Sequence, residues 1–332
     1  MGMLRYTIRR VLQAIPVLLG VATITFFLTD AIPGDPVSIM LGPSPSAAQA
    51  AAMRAKFGLD QPVYVRYLNY LAGIVQGDLG RSIYFHAPVL KKILQRLPVT
   101  LLLLASSFAF ALVIAIPLGI VSAKRRNKPT DHVSRGVTLF GVSTPDFWVG
   151  LVLIIVFAYV LGWLPATDLI MPWASPASVP GANSQLDVLW IAAKHLILPT
   201  ITLGTLQMAA IARIERSSML EVLSEEYVTL ARAYGVSETT ILRRHAFRNA
   251  QLPVITILGL QLTTAIGGAV LTETVFSING MGRLIITAIQ NQDYQLVMGT
   301  TLLFGVVFVI GVIITDLSYA YVDPRVSYDE SE

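Results

Sequence analysis

The sequence predicts an all-α integral membrane protein with about six transmembrane helices, and three observations carry that expectation. First, 54% of the 332 residues are hydrophobic and 13% charged, against roughly 25% charged in an ordinary soluble domain. Too little polar surface remains to cover a water-soluble globule of this length, so a bilayer must act as solvent for much of the chain. Second, the apolar residues gather into runs long enough to span, because a helix rising about 1.5 Å per residue needs about 20 residues to cross a hydrocarbon core of about 30 Å. Third, lysine and arginine alternate between connections in the manner of a multi-pass topology.

The runs fall at Val11–Leu28, Leu101–Val121, Val137–Leu161, Leu196–Ala212, Leu252–Leu271 and Val297–Ile314. The fourth is interrupted by threonines and Gln207. Arg5, Arg9 and Arg10 precede the first run as they would in a signal peptide. That run is long for such a signal and no small-residue cleavage site follows it, so it is expected to stay as a span.

Basic residues set the expected orientation. Lys124, Arg125, Arg126, Lys128 and Arg135 lie between the second and third runs, and Arg213, Arg216, Arg232, Arg243, Arg244 and Arg248 between the fourth and fifth. Gly162 to Ala193 contains no lysine or arginine. Both termini in the cytoplasm satisfy this pattern. Residues Ile32 to Gln95 are then outside, and loops of about 60 residues translocate largely regardless of their charge. Within them Ala47–Phe57 and Val63–Val75 read as helices and Gly77-Asp78-Leu79-Gly80 as a turn.

Composition also excludes chemistries. Cysteine is absent, so disulfides, thiolate metal sites and thiol nucleophiles are excluded. His86, His132, His195 and His245 are scattered with no i,i+4 pair, which argues against a metal cage. No Gly-rich loop ending in Gly-Lys-Ser/Thr occurs, so the chain does not hydrolyse ATP by that chemistry.

The most informative stretch is Ser224 to Pro253. Ser224 is expected to cap a helix carrying Glu225 and Glu226 at its positive end, Gly235 to end it in a left-handed conformation, and Ser237 to cap a second short helix. Two charge-balanced helices between membrane spans suggest a docking surface, and an interfacial amphipathic element fits the pattern equally well. The residues Ala231-Arg232-Ala233-Tyr234-Gly235, then His245-Ala246-Phe247-Arg248-Asn249-Ala250 and Leu252-Pro253, resemble the cytoplasmic coupling segment of ATP-binding-cassette importer permeases. More narrowly, they resemble the first permease subunit of the dipeptide, oligopeptide and nickel subgroup. Arg9-Arg10, Ile32-Pro33-Gly34-Asp35-Pro36, Gly77-Asp78-Leu79-Gly80, Leu271-Thr272-Glu273-Thr274-Val275-Phe276, Asp293-Tyr294, Asp316 and Pro324-Arg325 match it in order. Thr229-Leu230-Ala231 stands where the broader importer motif has Glu-Ala-Ala. Ile278-Asn279-Gly280 stands where relatives often carry Trp-Pro-Gly before an outer re-entrant helix.

The resemblance implies a type I importer permease core with an extracytoplasmic segment after the first span. Residues 1–95 would form the first span and an outer cap, 96–325 the core with coupling helices near 221–249, and 326–332 a tail. It implies a multi-pass protein of the bacterial cytoplasmic membrane. Its partners would be a second homologous permease, two ATPases, a substrate-binding protein and the lipid bilayer, with no nucleic acid. This chain would bind no cofactor, ATP and magnesium being held by the ATPases. Glu226, Tyr227, Ala231, Arg232, Ala233, Gly235, Arg243, His245, Arg248 and Asn249 would couple to the ATPase. Asp146, Glu273 and Asp316 lie in or near spans and are candidates for pathway or subunit contacts, or for interfacial anchors. An ion-coupled secondary transporter is the alternative, but such folds tend to show inverted repeats and midplane acids. No short repeat is seen here, and the helical pair would go unexplained. An intramembrane hydrolase lacks any Gly-x-Ser-x-Gly motif or zinc-spaced histidines to support it.

Overall fold

Apolar periodicity becomes helix along nearly the whole chain. A computed structural model describes residues 3–32, 46–56 and 58–322. Pro33–Pro36, Phe57, Pro324-Arg325 and the tail, which the sequence reading includes, lie outside the described residues. In chain order the helices are α1 Met3–Ala31, α2 Ala47–Lys56, α3 Val63–Gln76, α4 Val89–Lys124, α5 Pro129–Ser143 and α6 Asp146–Leu153, the last continuing into a π-helical turn Ile154–Val160. There follow α7 Gln185–Leu223, α8 Glu226–Ala233, α9 Glu238–Thr240, a π-helical turn Ile241–Ala246, α10 Phe247–Val275, α11 Met281–Gln290 and α12 Tyr294–Val322. Among the described residues no strand forms, and Arg81 and Pro88 make one isolated bridge.

Among the described residues four helices are long and apolar enough to cross a membrane on their own: α1, α4, α7 and α12. The count reaches six if each of two bent pairs is taken as one span. The run expected at Val137–Leu161 is one of these pairs. α5 and α6 meet at 104°, because Pro145 cannot continue a helix and forces Thr144 into extended backbone (φ −99°, ψ 128°). The run at Leu252–Leu271 lies in the other pair, bent by 51°.

The chain forms two compact units. The first comprises Met1–Met3, Leu101–Ile278 and Gly311–Glu332. In it α7 packs against α5, α6 and α10. Apolar helices gain little from the hydrophobic effect when lipid is their solvent, so close packing of small residues must hold them. That is how this unit is built. A Cβ on Gly141 of α5 would lie 2.8 Å from the Ala209 side chain of α7, and one on Gly204 of α7 would lie 2.7 Å from the Phe110 ring of α4. Ala111, Ala115, Ala209, Ala212, Ile211 and Val254 fill one core cluster. Ala123, Met219, Leu242, Ala246 and Ala250 fill a second.

The second unit comprises Leu4–Thr100 and Asn279–Ile310. Its helices α2 and α3 fall where sequence periodicity places them, and α4 already begins at Val89. The Gly77–Gly80 turn has Gly77 at φ +76° and Gly80 at φ +80°, and Asp78 Oδ1 accepts a hydrogen bond from Gly80 N at 2.8 Å. A buried anchor ties residues 82–84 to the start of α12. Asp293 Oδ2 accepts from Ser82 Oγ at 2.5 Å and from Tyr84 N at 3.1 Å, while Oδ1 accepts from Leu296 N at 3.2 Å. Phe26 and Phe27 of α1 meet Tyr67 and Tyr70 of α3 as an aromatic cluster, beside an Arg66–Asp30 ion pair of 2.7 Å.

Candidate functional site: a helical platform between two spans

The segment between α7 and α10 differs from the expectation in two respects. Ser224 does not cap α8. Its Oγ donates to Glu221 O at 2.7 Å as α7 ends, and Glu225 stands at the cap with no side-chain bond. A serine one residue too early is captured by the helix it follows. The second short helix is also not separate, since α9 passes through the π-helical turn into α10.

The turn between them is as the sequence predicts. Gly235 has φ +77°. Gly235 N donates to Arg232 O at 3.0 Å and Val236 N to Ala231 O at 3.1 Å, the double bond of a Schellman cap. Ser237 then accepts from Thr240 N at 3.4 Å. Arg232 pairs with Glu238 at 2.8 Å across the turn, and both are exposed.

Outwards, the platform presents Glu226, Tyr227, Leu230, Arg232, Ala233, Tyr234 and Gly235, all exposed. Tyr234 is 80% exposed and Leu230 57%. Arg243, Arg248 and Asn249 are exposed as well, whereas Ala231 and His245 are half-buried. Inwards, Val228, Ile241, Leu242 and Ala246 are buried. Asn249 Nδ2 donates to Tyr227 Oη at 2.8 Å and so ties α8 to α10.

Beneath this platform lies a polar knot that sequence reasoning missed. Asp131, at the start of α5, is fully buried. Its carboxylate accepts from Arg216 Nε at 2.7 Å and Arg216 Nη2 at 2.9 Å, from Ser122 Oγ at 2.6 Å and from Asn127 N at 2.9 Å. Glu215, equally buried, accepts from Gln251 Nε2 at 3.3 and 3.1 Å. Ser218 Oγ donates to Ala250 O at 2.8 Å. Arg216 figures in the sequence only as a topology marker. The available signal was Asp131, the sole acid among the basic residues from Lys124 to Arg135.

A cavity of about 580 Å³ opens beside the knot, lined by Leu118, Ser122, His132, Arg135, Leu139, Arg213 and Arg216 among others. Arg135 and Arg213 are exposed beside apolar Leu118, Leu139 and Val142.

The three acids expected in or near spans are not gathered into one site. Asp146 begins α6, its Oδ1 accepts from Phe147 N at 2.7 Å, and a Cβ on Gly268 of α10 would lie 2.9 Å from its Oδ2. Glu273 is fully buried in α10. Asp316 is half-buried near the end of α12.

Two family models match the chain. That for binding-protein-dependent transport system inner membrane components covers residues 115–328, and that for the N-terminal part of such membrane components covers residues 3–105. The oligopeptide transport system permease protein AppB of Bacillus subtilis is 41% identical over 327 residues, spanning 98% of this chain and 100% of its own. The dipeptide transport system permease protein DppB of Alkalihalophilus pseudofirmus is 40% identical over 333 residues, again spanning 98% and 100%. Among solved structures, a chain of the MetNI methionine ABC transporter in an inward-facing conformation aligns with TM-score 0.52 over 70% of this chain and 96% of its own. At 17% identity that likeness is one of fold.

Proposed function

The chain belongs to the inner membrane components of binding-protein-dependent transport systems and is a permease subunit of an ATP-driven importer, and from that premise we propose that its cargo is peptides or similar small solutes. The observation that carries this reading is the likeness to AppB and DppB at about 40% identity from end to end, with no part of either relative unmatched.

The finer assignments are proposals too. This subunit pairs with a second, homologous permease, two ATPases and a soluble binding protein that delivers cargo outside. It holds no cofactor itself, and ATP and magnesium sit on the ATPases. Both termini are cytoplasmic, as the basic connections 124–135 and 213–248 favour, so residues 32–95 face outwards. The coupling element is the platform that runs from α8 through the π-helical turn to the start of α10, with Glu226, Tyr227, Ala231, Arg232, Ala233, Gly235, Arg243, His245, Arg248 and Asn249. Its aromatic and apolar side chains Tyr227, Leu230 and Tyr234 stand exposed above a buried floor, as an inserting knob would. Asp146, Glu273 and Asp316 make pathway or subunit contacts.

The test is uptake of labelled di- and tripeptides into liposomes holding the assembled importer, with and without ionophores. Uptake that needs ATP and survives collapse of every ion gradient supports the reading. Uptake driven by a gradient without ATP would refute it in favour of a secondary transporter.

A further inference from the structure

We propose that Asp131, Glu215, Arg216 and Gln251 are positioning residues that lock the α8-proximal end of α7 to α5 and α10, so that a displacement of α8 carries α5 with it as one rigid body. This rests on reading α8 as the element that meets the ATPase.

The geometry is a chain of directed contacts. Tyr227 on α8 receives a hydrogen bond from Asn249. Two residues on, Gln251 holds both oxygens of Glu215. The next residue of α7, Arg216, grips Asp131 with two parallel bonds. Asp131 in turn receives Ser122 at the end of α4 and the backbone of Asn127 in the turn. Three helices, α4, α5 and α10, therefore close on two adjacent residues of α7, and α8 is tied in through Asn249 of α10. Nothing slack lies between them, because a Cβ on Gly119 of α4 would sit 2.6 Å from Glu215 Cγ, and Ala246 and Ala250 are fully buried against Met219.

A guanidinium–carboxylate fork is the contact suited to this task. It fixes angle as well as distance, and slipping α5 along α7 by one helical turn, about 5.4 Å, would break both bonds at once. Farther along, α5 packs on α7 through small residues, Gly141 against Ala209, so the fork alone sets their register. Its far end is the 104° break at Thr144–Pro145, next to Asp146. A movement imposed on α8 is thereby delivered to that break.

The chain contains no cysteine, so introduced cysteines give it labels at known positions. Spin labels at Thr229→Cys on α8 and Val137→Cys on α5, both exposed, report one intrachain distance by pulsed electron double resonance in the complete importer. The expected result is one narrow distribution that stays put between the nucleotide-free and the ATP–vanadate-trapped states. Arg216→Lys, which keeps the charge and loses the fork, should broaden it or make it state-dependent. Asp131→Asn, which keeps the shape, should do the same more mildly. In parallel, cargo moved per ATP hydrolysed should fall about twofold to thirtyfold, the range such couplings span, at equal assembled amount. A wild-type distance that changes between the two states overturns the lock, as does an Arg216→Lys distribution as narrow as wild type. Failure of the underlying reading would show separately, as no cross-link from Thr229→Cys to the ATPase.

Discussion

Gly235 is where a single substitution separates the geometry of the platform from its composition. The residue sits at φ +77°, and a Cβ built on it would meet nothing within 4 Å. Any cost of a side chain there is conformational rather than steric. For an L-residue the left-handed region costs about 1–2 kcal/mol, and a β-branched side chain is least tolerated there. Since about 1.4 kcal/mol is a factor of ten, Gly235→Ala should depopulate the native turn by about fivefold to thirtyfold relative to competing conformers, and Gly235→Val by more. Two Schellman bonds, the Ser237 cap and the exposed Arg232–Glu238 pair oppose this. The last is worth little, about 0–1 kcal/mol. Asparagine tolerates the left-handed region well, so Gly235→Asn should be close to wild type although it adds more bulk than alanine. The expected order of loss in uptake per ATP hydrolysed is therefore Val greatest, Ala intermediate, Asn least, with all three variants inserted and assembled equally. Uptake and hydrolysis by the reconstituted importer measure it. A Gly235→Val importer that matches wild type refutes the reasoning, as does an Asn variant as impaired as the Val one.

Further outcomes follow from buried groups. Arg216→Met strands the fully buried Asp131 carboxylate and should destabilise the purified complex by about 3–5 kcal/mol, read as a lower melting temperature. Adding Asp131→Asn to it should restore part of the loss, and no restoration would mean the pair is not the cause. Asp293→Ala removes the acceptor of Ser82 Oγ and the backbone N–H groups of Tyr84 and Leu296. At about 1–3 kcal/mol per stranded buried group, hydrogen exchange should rise in residues 81–88 and leave α7 unchanged. Burial, with the charge of Tyr67 adding to it, pushes the Tyr70 hydroxyl from the ordinary 10.0 up to about 12. Because the folded form keeps that proton longer, stability is intact below about pH 10 and falls between 10 and 12 as pH rises. Tyr70→Phe should flatten that alkaline limb in a pH–melting series, and an unchanged limb would refute the assignment.

What the sequence made legible is whatever depends on neighbours in the chain. Apolar run length yields the spans, because hydrocarbon thickness acts on each segment alone. Gly77-Asp78-Leu79-Gly80 could be read as a turn and Gly235 as a left-handed cap because the penalty on other residues is local. Pro145 marks a kink but not its size. The 104° angle depends on how α6 seats against α7, where Gly150 meets Thr202, and against Phe276. Ser224 misled because two helices compete for one serine, and only their relative placement decides. The Asp131–Arg216 and Glu215–Gln251 contacts join residues 85 and 36 positions apart. No periodicity reaches that far, and only Asp131, alone among basic residues, stands out in the sequence.

The two kinds of contact along α7 suit different mechanical demands. From Thr202 to Ala212 it meets its neighbours through small residues, Gly141 on Ala209, Gly150 on Thr202 and its own Gly204 on Phe110. Such a seam has no directional bonds, and its energy is dispersion spread over many weak contacts. Helices on such a seam can shift by a fraction of a residue at small cost. From Glu215 to Ser218 the contacts are hydrogen bonds and a fork, each lost steeply with angle. Burying those charges costs several kcal/mol per ion before the partners repay it. Apolar packing of equal volume is often as stable as a buried ion pair, so the role we propose for these contacts is fixed register, placed where α7 hands over to α8. If α8 is the element that meets the ATPase, as proposed above, a chain that changes shape among its spans would need this division, soft along the middle of α7 and rigid where it ends.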